Sequence, residues 1–492
     1  MTDTTDVADV AVIGLGYIGL PTAAVLARAG LDVVGVDRIR ERVEAVNRGE
    51  LPFLEEGLAT VLAEQVEAGR LRAQMETPSA RTYIIAVPTP STGSDHAADL
   101  SLVEAATRQI APRLTGGELI VLESTCPPGT TRALAEAIGS MRPDLSTDGS
   151  GAQPQVHLSY CPERVLPGRI MTEMVTNSRV IGGLTPQASH LARDLYATFC
   201  AGELVLTDAT TAEMTKLTEN SFRDLNIAFA NELALVCERV GVDVWELVDL
   251  ANRHPRVSIL QPGPGVGGHC IAVDPWFLVS SAPEETRLIR TARQVNDSRP
   301  AHYVGRILEA MEPFSSPIVA VLGLTFKADV DDLRQSPALA ITEQVAAAAP
   351  HAQVLVAEPH AKELPASLAR WDNVRLTGWR QAVEQADVVA VLVGHQEFAD
   401  LDPHLLEGRS VIDATGFWRA REPQLTGRRT WAAGVSDASS VLLRGACTGP
   451  DSASSSEQRG PVLTWKGPSA PYSTRPSGTW RSWSSSVRGP MR

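Results

Sequence analysis

Three glycines, Gly14-Leu-Gly16-Tyr-Ile-Gly19, stand between two apolar runs near the start of the chain. The run before them, residues 8–14, reads as a buried strand; Tyr17 to Ala29 reads as a helix that stops at Gly30, and Leu31 to Asp37 as the next strand. A strand, a glycine-rich turn and a helix in that order aim backbone N–H groups at an anion that bulkier residues would hold away. The anion that suits this turn is a pyrophosphate, and Asp37, closing the second strand, can accept hydrogen bonds from a ribose. An acid there favours NAD over NADP, with Arg38 and Arg40 close by arguing the other way. The expected cofactor is therefore NAD, held by Gly14, Gly16, Tyr17, Ile18, Gly19 and Asp37.

Further strand runs at Tyr83–Val87, Leu119–Leu122, Val156–Tyr160 and Arg179–Ile181 alternate with stretches long enough for helices, the pattern of a parallel doubly wound sheet. From Thr210 to about Asn252 the period becomes helical without a proline, and strands return at Pro317–Gly323, Gln353–Ala357, Asp387–Val393 and Ser410–Asp413. The expected fold class is α/β: two Rossmann-like doubly wound domains joined by a helical domain. The boundaries read as 1–205 for the NAD domain, 206–300 for the helical centre, 301–444 for the second α/β unit, and 445–492 for a disordered tail rich in Ser, Gly, Pro and Arg. That tail has six Lys/Arg against two Asp/Glu, and Trp465, Trp480 and Trp483 keep a partner-binding arm or a frameshifted end open as readings.

No apolar run reaches the roughly 18–20 residues a membrane span needs, and the acidic N-terminus lacks the pattern of a signal peptide. A cytoplasmic protein that meets no membrane is expected. A formal net charge of −14 argues against nucleic acid as a partner. The six cysteines form no CxxC pair and no zinc-spaced cluster with histidine, so no metal is expected and a functional cysteine would act as a free thiol.

One cysteine is placed unusually. Pro262-Gly-Pro-Gly-Val-Gly-Gly-His-Cys270 sets a thiol behind four glycines, with Asp274 four residues on. A glycine-rich loop can hold backbone close to a ligand, and a thiol at its end suits a nucleophile beside a reacting carbon. His269 and a lysine supplied by the fold would favour the thiolate, whereas Cys161, Cys200 and Cys237 read as small buried residues. On the central helix Lys216 and Asn220 stand at i and i+4, which puts an ammonium and a carboxamide on one face, suited to an oxyanion.

With these segments together the chain resembles the UDP-glucose/GDP-mannose dehydrogenase family. The resemblance rests on Gly14-Leu-Gly-Tyr-Ile-Gly-Leu-Pro21, Ser124-Thr-Cys-Pro-Pro-Gly-Thr130, Cys161-Pro-Glu-Arg164, Glu213-Met-Thr-Lys-Leu-Thr-Glu-Asn220, Gly265-Val-Gly-Gly-His-Cys270 and Phe326-Lys-Ala-Asp-Val-Asp-Asp-Leu-Arg334, and it spans about residues 8–435. It implies oxidation of the C6 hydroxymethyl of a nucleotide-linked sugar to a carboxylate with two NAD⁺, through a thiohemiacetal and a thioester on Cys270. By motif position Lys216 and Asn220 hold the oxyanion, and Asp274 helps activate water. Glu163 is an acid/base or water-positioning group, and Thr125 sits by the reacting centre and the cofactor together with Thr89. Arg334 meets the NAD. Lys327 meets the sugar-nucleotide pyrophosphate, and Glu163, Arg164, Lys216, Asn220 and Gly267 line the substrate. The resemblance also makes the helical centre a dimerisation element, so a homodimer or higher homo-oligomer is expected, with His254 and Arg256 reaching the sugar across the interface or within one subunit.

Two positions depart from the UDP-glucose branch: Val273 stands where that branch has a lysine, and Pro167 where it has a second acid. A substituent other than a free hydroxyl is implied, and the resemblance points to UDP-N-acetyl-D-mannosamine, with UDP-N-acetylglucosamine as the alternative and glycan synthesis as the use of the product. Two other classes are weighed against this reading. A two-electron NAD-dependent hydroxy-acid dehydrogenase would have no use for Cys270, and a non-catalytic nucleotide-binding regulator would bind without turnover.

Overall fold

The computed structural model describes residues 7–418 apart from 54, 94–95, 151–152, 167 and 269. The readings on His269, Pro167 and the segment beyond 418, including the expected tail, lie outside the described residues. Val10, Val12, Val33, Val34, Ile84 and Val121 are buried in apolar strand runs covered on both faces, which is why these segments lack the polar alternation of a half-exposed sheet. They belong to an eight-stranded sheet in the order Leu204–Asp208, Arg179–Gly183, His157–Tyr160, Leu119–Leu122, Ala80–Ile85, Ala8–Ile13, Val33–Val36, Leu71–Gln74.

The sheet corrects the expectation of a wholly parallel arrangement. Ser159 pairs antiparallel with Gly183, so the last two strands on that side run against the other six. Both edge strands were absent from the sequence reading. Leu71–Gln74 is Leu-Arg-Ala-Gln, half-covered at an edge, and Leu204–Asp208 has no fully buried residue; neither carries the continuous apolar run that marks an interior strand.

The helical centre begins with Ala209–Val240, 32 residues capped by Asp208, whose side chain accepts from Thr211 N. Against it packs Arg287–Met311. Between these two helices lies a buried polar cluster: Arg293 Nη1 lies 2.5 Å from Asp224 Oδ1, and Asn296 Nδ2 donates to the same oxygen at 2.8 Å. Asn231 Nδ2 donates to Asn296 Oδ1 at 2.9 Å, while Asn231 Oδ1 accepts from Gly263 N at 2.8 Å. The cluster thus anchors the first residues of the cysteine loop to the helix pair. The second helix runs through residues 300–301: Tyr303, Ile307 and Met311 belong to the core of the next unit. That unit is a five-stranded parallel sheet in the order Val374–Leu376, Gln353–Ala357, Ile318–Leu322, Val388–Val391, Ser410–Asp413. Among the described residues no helix is long and apolar enough to cross a membrane.

Candidate active site

The glycine turn closes on itself through two contacts that only glycine allows. Gly14 has φ 97°, and a Cβ at Gly19 would stand 1.8 Å from Gly14 O. A Cβ at Gly16 would meet nothing within 4 Å, which leaves the turn open on the side where a pyrophosphate would approach the start of the helix Gly19–Arg28. Residues and space fit an NAD pyrophosphate there. Asp37 is buried; its carboxylate accepts from Leu15 N and Ile39 N, each at 2.9 Å, and pairs with Arg42 at 2.9 Å. The acid therefore holds the glycine turn against the second strand, and its remaining lone-pair sites are what a ribose could use. Ile18 is the last residue before the helix, and Thr89 Oγ1 donates to Thr125 O at 2.6 Å, which ties two of the expected cofactor residues together. Tyr17 stacks on Phe53 with centroids 4.2 Å apart, and the Arg334 guanidinium, from the second α/β unit, lies 5.2 Å over the Tyr17 ring.

A second set of side chains converges from three other elements. Lys216 and Asn220 lie on one face of the long helix and are 9% and 8% exposed, so they are not solvated helix surface. Lys216 Nζ donates to the carbonyl of Glu163 at 2.9 Å, and Asn220 Nδ2 donates to Asp274 Oδ2 at 2.5 Å. Asp274 opens the helix Asp274–Ser281, and its N–H donates to the carbonyl of Cys270 at 2.8 Å, so one helical turn fixes the thiol to the acid. Burial pushes the Asp274 carboxyl up to about 6, opposed by the Lys216 charge and the Asn220 bond.

Cys270 is the exposed cysteine among the described residues, while Cys126, Cys161 and Cys237 are buried. The residue reaches the surface, yet the groups packed around its sulfur strip away much of the thiol's water. Desolvation and the Asp274 charge raise its pKa above the usual thiol value, and Lys216, Arg334 and Arg223 only partly offset them. This corrects the expectation of a favoured thiolate: the lysine is supplied, but burial and the neighbouring acid outweigh it in the free protein.

The loop glycines serve a purpose the sequence reading assigned to a ligand. A Cβ at Gly267 would lie 2.5 Å from Gln335 O and 2.7 Å from Pro337 Cδ, and one at Gly268 would lie 3.0 Å from the Phe326 ring. The close approach they permit is to the chain's own segment 326–337, which brings Lys327 and Arg334 to the cysteine loop. A cleft of about 260 Å³ runs between Gly265, Thr325, Phe326, Lys327, Gly394 and Phe417.

Other expected residues are placed differently. The Glu163 carboxylate turns away from Lys216 toward Arg179, 2.8 Å distant and equally buried, so its backbone rather than its side chain meets the lysine. Arg164 is taken up by Glu219 at 2.6 Å and by Ser178 O. His254 and Arg256 are exposed on the loop before the glycines, with Arg256 N donating to His254 Nδ1 at 3.4 Å.

Three residues that support the site carried no role in the sequence reading. Glu213 is buried, and its carboxylate accepts from Gly129 N, Thr131 N and Thr131 Oγ1, which ties the Ser124–Thr130 loop to the helix bearing Lys216. Its spacing of three from Lys216 was the available signal. Arg179 and Glu123 complete a buried group with Glu163. Glu123 accepts from Tyr196 at 2.6 Å and from Thr22 at 3.2 Å, and burial, then the Glu163 charge, pushes it up to about 7. No local pattern distinguishes these two in the sequence.

Comparison with known proteins matches the same three regions. Residues 8–200 match the NAD-binding domain of the UDP-glucose/GDP-mannose dehydrogenase family, 210–298 its central domain and 320–420 its UDP-binding domain. An NDP-N-acetyl-D-galactosaminuronic acid dehydrogenase of Ralstonia nicotianae is 50% identical over 425 residues, 85% of this chain and 97% of that protein. The UDP-N-acetyl-D-mannosamine dehydrogenase of Escherichia coli is 49% identical over 422 residues, 84% of this chain and 99% of that protein. Among solved structures, a UDP-D-ManNAc dehydrogenase from Pyrococcus horikoshii aligns with a TM-score of 0.74 at 39% identity, covering 83% of this chain and 95% of that one. With all three family regions matched in order over a glycine turn shaped for a dinucleotide, the chain belongs to the UDP-glucose/GDP-mannose dehydrogenase family and is an NAD-dependent sugar-nucleotide dehydrogenase.

Proposed function

We propose that the protein oxidises the C6 hydroxymethyl of UDP-N-acetyl-D-mannosamine to the carboxylate, with Cys270 carrying the carbon between two oxidations. The observation that carries this reading is the convergence of Cys270, Asp274, Asn220 and Lys216. A thiol beside a titratable acid and a cation is of no use to an alcohol oxidation that stops at an aldehyde or ketone. Bound NAD⁺ supplies hydride acceptance, once for each of two molecules. The alcohol loses a hydride and a proton to give the aldehyde, and the Cys270 thiol adds across its C=O, sulfur to carbon and proton to oxygen, to give the thiohemiacetal. Loss of a second hydride from that carbon and of the hydroxyl proton leaves the thioester, and addition of water followed by cleavage of the carbon–sulfur bond releases the carboxylate and restores the thiol. Lys216 and Asn220 stabilise the oxygen that gains charge at each addition. Asp274 takes the proton from water, a task that suits a carboxyl pushed up to about 6. Thr125 and Thr89 border the cofactor, Lys327 meets the diphosphate and Arg334 the cofactor. Glu163 acts through its backbone carbonyl on Lys216.

The N-acetyl sugar is supported by the names of the similar proteins and by Val273, which is buried with Leu217, Phe277 and Leu278 where the UDP-glucose branch has a lysine. The similar proteins at 50% and 49% identity differ in their named sugar, so the manno assignment rests on the resemblance around Arg256. The enzyme works in the cytoplasm and its product enters surface-glycan synthesis. It acts as a homodimer: Phe222, Phe229 and Val236, spaced by seven on the long helix, are 69%, 50% and 51% exposed, an apolar stripe that a second copy would cover. In that dimer His254 and Arg256 reach the partner's sugar.

NADH released per sugar consumed, measured with UDP-N-acetyl-D-mannosamine, UDP-N-acetylglucosamine, UDP-N-acetylgalactosamine and UDP-glucose, tests the reading. Two NADH per UDP-N-acetyl-D-mannosamine, lost in Cys270→Ala, is the expected result. Two NADH from another sugar alone overturns the substrate assignment, one NADH with an aldehyde product overturns the thioester route, and binding without turnover by any sugar favours a regulator.

A further inference from the structure

The turn Thr325–Asp329 follows the strand Ile318–Leu322 and carries Phe326, which packs on Gly268, and Lys327, which is exposed. Asp329 sits at φ 59°, a conformation that a non-glycine residue keeps only when its surroundings impose it. What imposes it lies behind the turn. Glu358 and His395 are 5% and 0% exposed. Glu358 Oε2 accepts from Leu324 N at 2.7 Å and from Thr325 N at 3.2 Å, and Oε1 accepts from His360 N at 3.0 Å.

The His395 ring spans the other end. Its Nδ1 lies 3.0 Å from Asp329 N, a group that can only donate, so Nδ1 is the bare nitrogen and the ring proton resides on Nε2. That proton faces Glu358 Oε2 at 3.1 Å and Thr325 Oγ1 at 3.3 Å, and Thr325 Oγ1 in turn donates to the carbonyl of Lys327 at 2.8 Å. Both ends of the turn are therefore bound to one buried pair, and the Lys327 carbonyl is bound to Thr325, which that pair holds. Asp329, His360 and His395 each bring a potential ligand atom within 4.8 Å of the others. A cation on His395 would have to displace either the Asp329 N–H or the Glu358 bond, so these contacts describe a clamp rather than a metal site.

We propose that His395, oriented by Glu358, is a positioning residue that fixes the turn so that Lys327 faces the diphosphate of the nucleotide sugar. This rests on the reading of Lys327 as the diphosphate contact given above. The buried pair touches no reacting atom; its effect passes through the backbone at Thr325, Lys327 and Asp329.

The test is the affinity of the full-length protein for UDP, measured by titration calorimetry without turnover, for the wild type, His395→Ala, Lys327→Ala and the double variant. His395→Ala is expected to weaken UDP about tenfold, the value of one or two lost positional hydrogen bonds, and His395→Asn, which keeps an acceptor for the Asp329 N–H, to recover at least part of that loss. Added to Lys327→Ala, the His395→Ala change is expected to cost less than about twofold, because the group it positions is already gone. An effect of equal size with and without Lys327 indicates a general structural role and overturns the inference, as does a UDP affinity within about twofold of the wild type in a folded His395→Ala protein. Should His395→Ala not fold, Glu358→Gln, which sets an amide against the same N–H donors, must show the same dependence on Lys327, and its absence is equally decisive against the clamp. If the wild type binds no UDP, the reading of the site fails and this inference with it.

Discussion

Replacing Asp274 by Asn tests the proton chemistry of the site most directly, because the change keeps the side-chain shape and the new carboxamide oxygen still accepts from Asn220. In the wild type the carboxyl is pushed up to about 6 from a usual value of 3.8, principally by burial, with Lys216 and the Asn220 bond opposing the shift. The gap of roughly two units corresponds to about 3 kcal/mol favouring the protonated form over the same group in water. A base with that pKa is about nine-tenths ionised at pH 7 and about one-tenth ionised at pH 5, so a step that needs the carboxylate slows about tenfold for each unit below 6. The kcat for NADH formation by the wild type is expected to rise with pH through about 6. In Asp274→Asn this limb disappears, and kcat at pH 7.5 falls by about 10² to 10⁴. The Asp274 charge also raises the Cys270 thiol, so its removal lowers that pKa, and alkylation of Cys270 by iodoacetamide at fixed pH is expected to quicken severalfold. A damaged fold would also lose activity and expose the thiol, so the two readouts are taken on a variant whose thermal melting midpoint matches the wild type. A variant that keeps the limb near pH 6, or loses activity with an unchanged alkylation rate, refutes the assignment of Asp274 as the titrating neighbour of the thiol.

Glu123 offers a pH test of stability. Its folded pKa of about 7 lies above the unfolded value of 4.5, so the folded state binds the extra proton between them and stability falls as pH rises through that window. Above it the full cost remains, on the order of 3 kcal/mol, and Glu123→Gln is expected to melt higher than the wild type at pH 8, with the difference vanishing near pH 4.5 in calorimetry. Gly267→Ala would set a methyl 2.5 Å from Gln335 O; a loss of about 1–3 kcal/mol is expected, along with activity, because the cysteine loop must lift from the segment 326–337. Gly139→Ala is the contrasting case: the residue lies inside the helix Thr130–Met141 with nothing within 4 Å of the added carbon, and a gain of about 0.5–1 kcal/mol in denaturant unfolding is expected. Phe229→Glu on the exposed stripe is expected to shift the protein from dimer to monomer in sedimentation; an unchanged mass places the interface elsewhere.

The residues themselves determined a good deal of this. A strand, a glycine turn and a helix in sequence admit few folds, because the spacing of apolar residues sets the element and the glycines mark where backbone must come close to something. The interior strands Leu119–Leu122 and Gln353–Ala357 were legible to the residue, since an interior strand of a parallel sheet is largely apolar, and the edge strand Ser410–Asp413 was legible because its Val-Ile pair is buried. The i, i+4 spacing of Lys216 and Asn220 put them on one face, and the same spacing from Cys270 to Asp274 proved to be one helical turn. The edge strand Leu71–Gln74 was not legible, because an edge can form with less apolar surface and Leu-Arg-Ala-Gln leaves little mark on composition.

What lies far apart in the chain was left to the tertiary structure. That the loop glycines receive Gln335 and Pro337, that the Glu163 carboxylate goes to Arg179 while its carbonyl goes to Lys216, and that His395 holds the turn of Lys327 from 66 to 70 residues away are matters of packing between elements, for which no local period exists. The protonation of Cys270 was decided in the same place. A neighbouring lysine suggests a thiolate when read along the sequence, but the sign of the shift depends on how much water burial removes and on which charges surround the sulfur, and both are properties of the folded cleft alone.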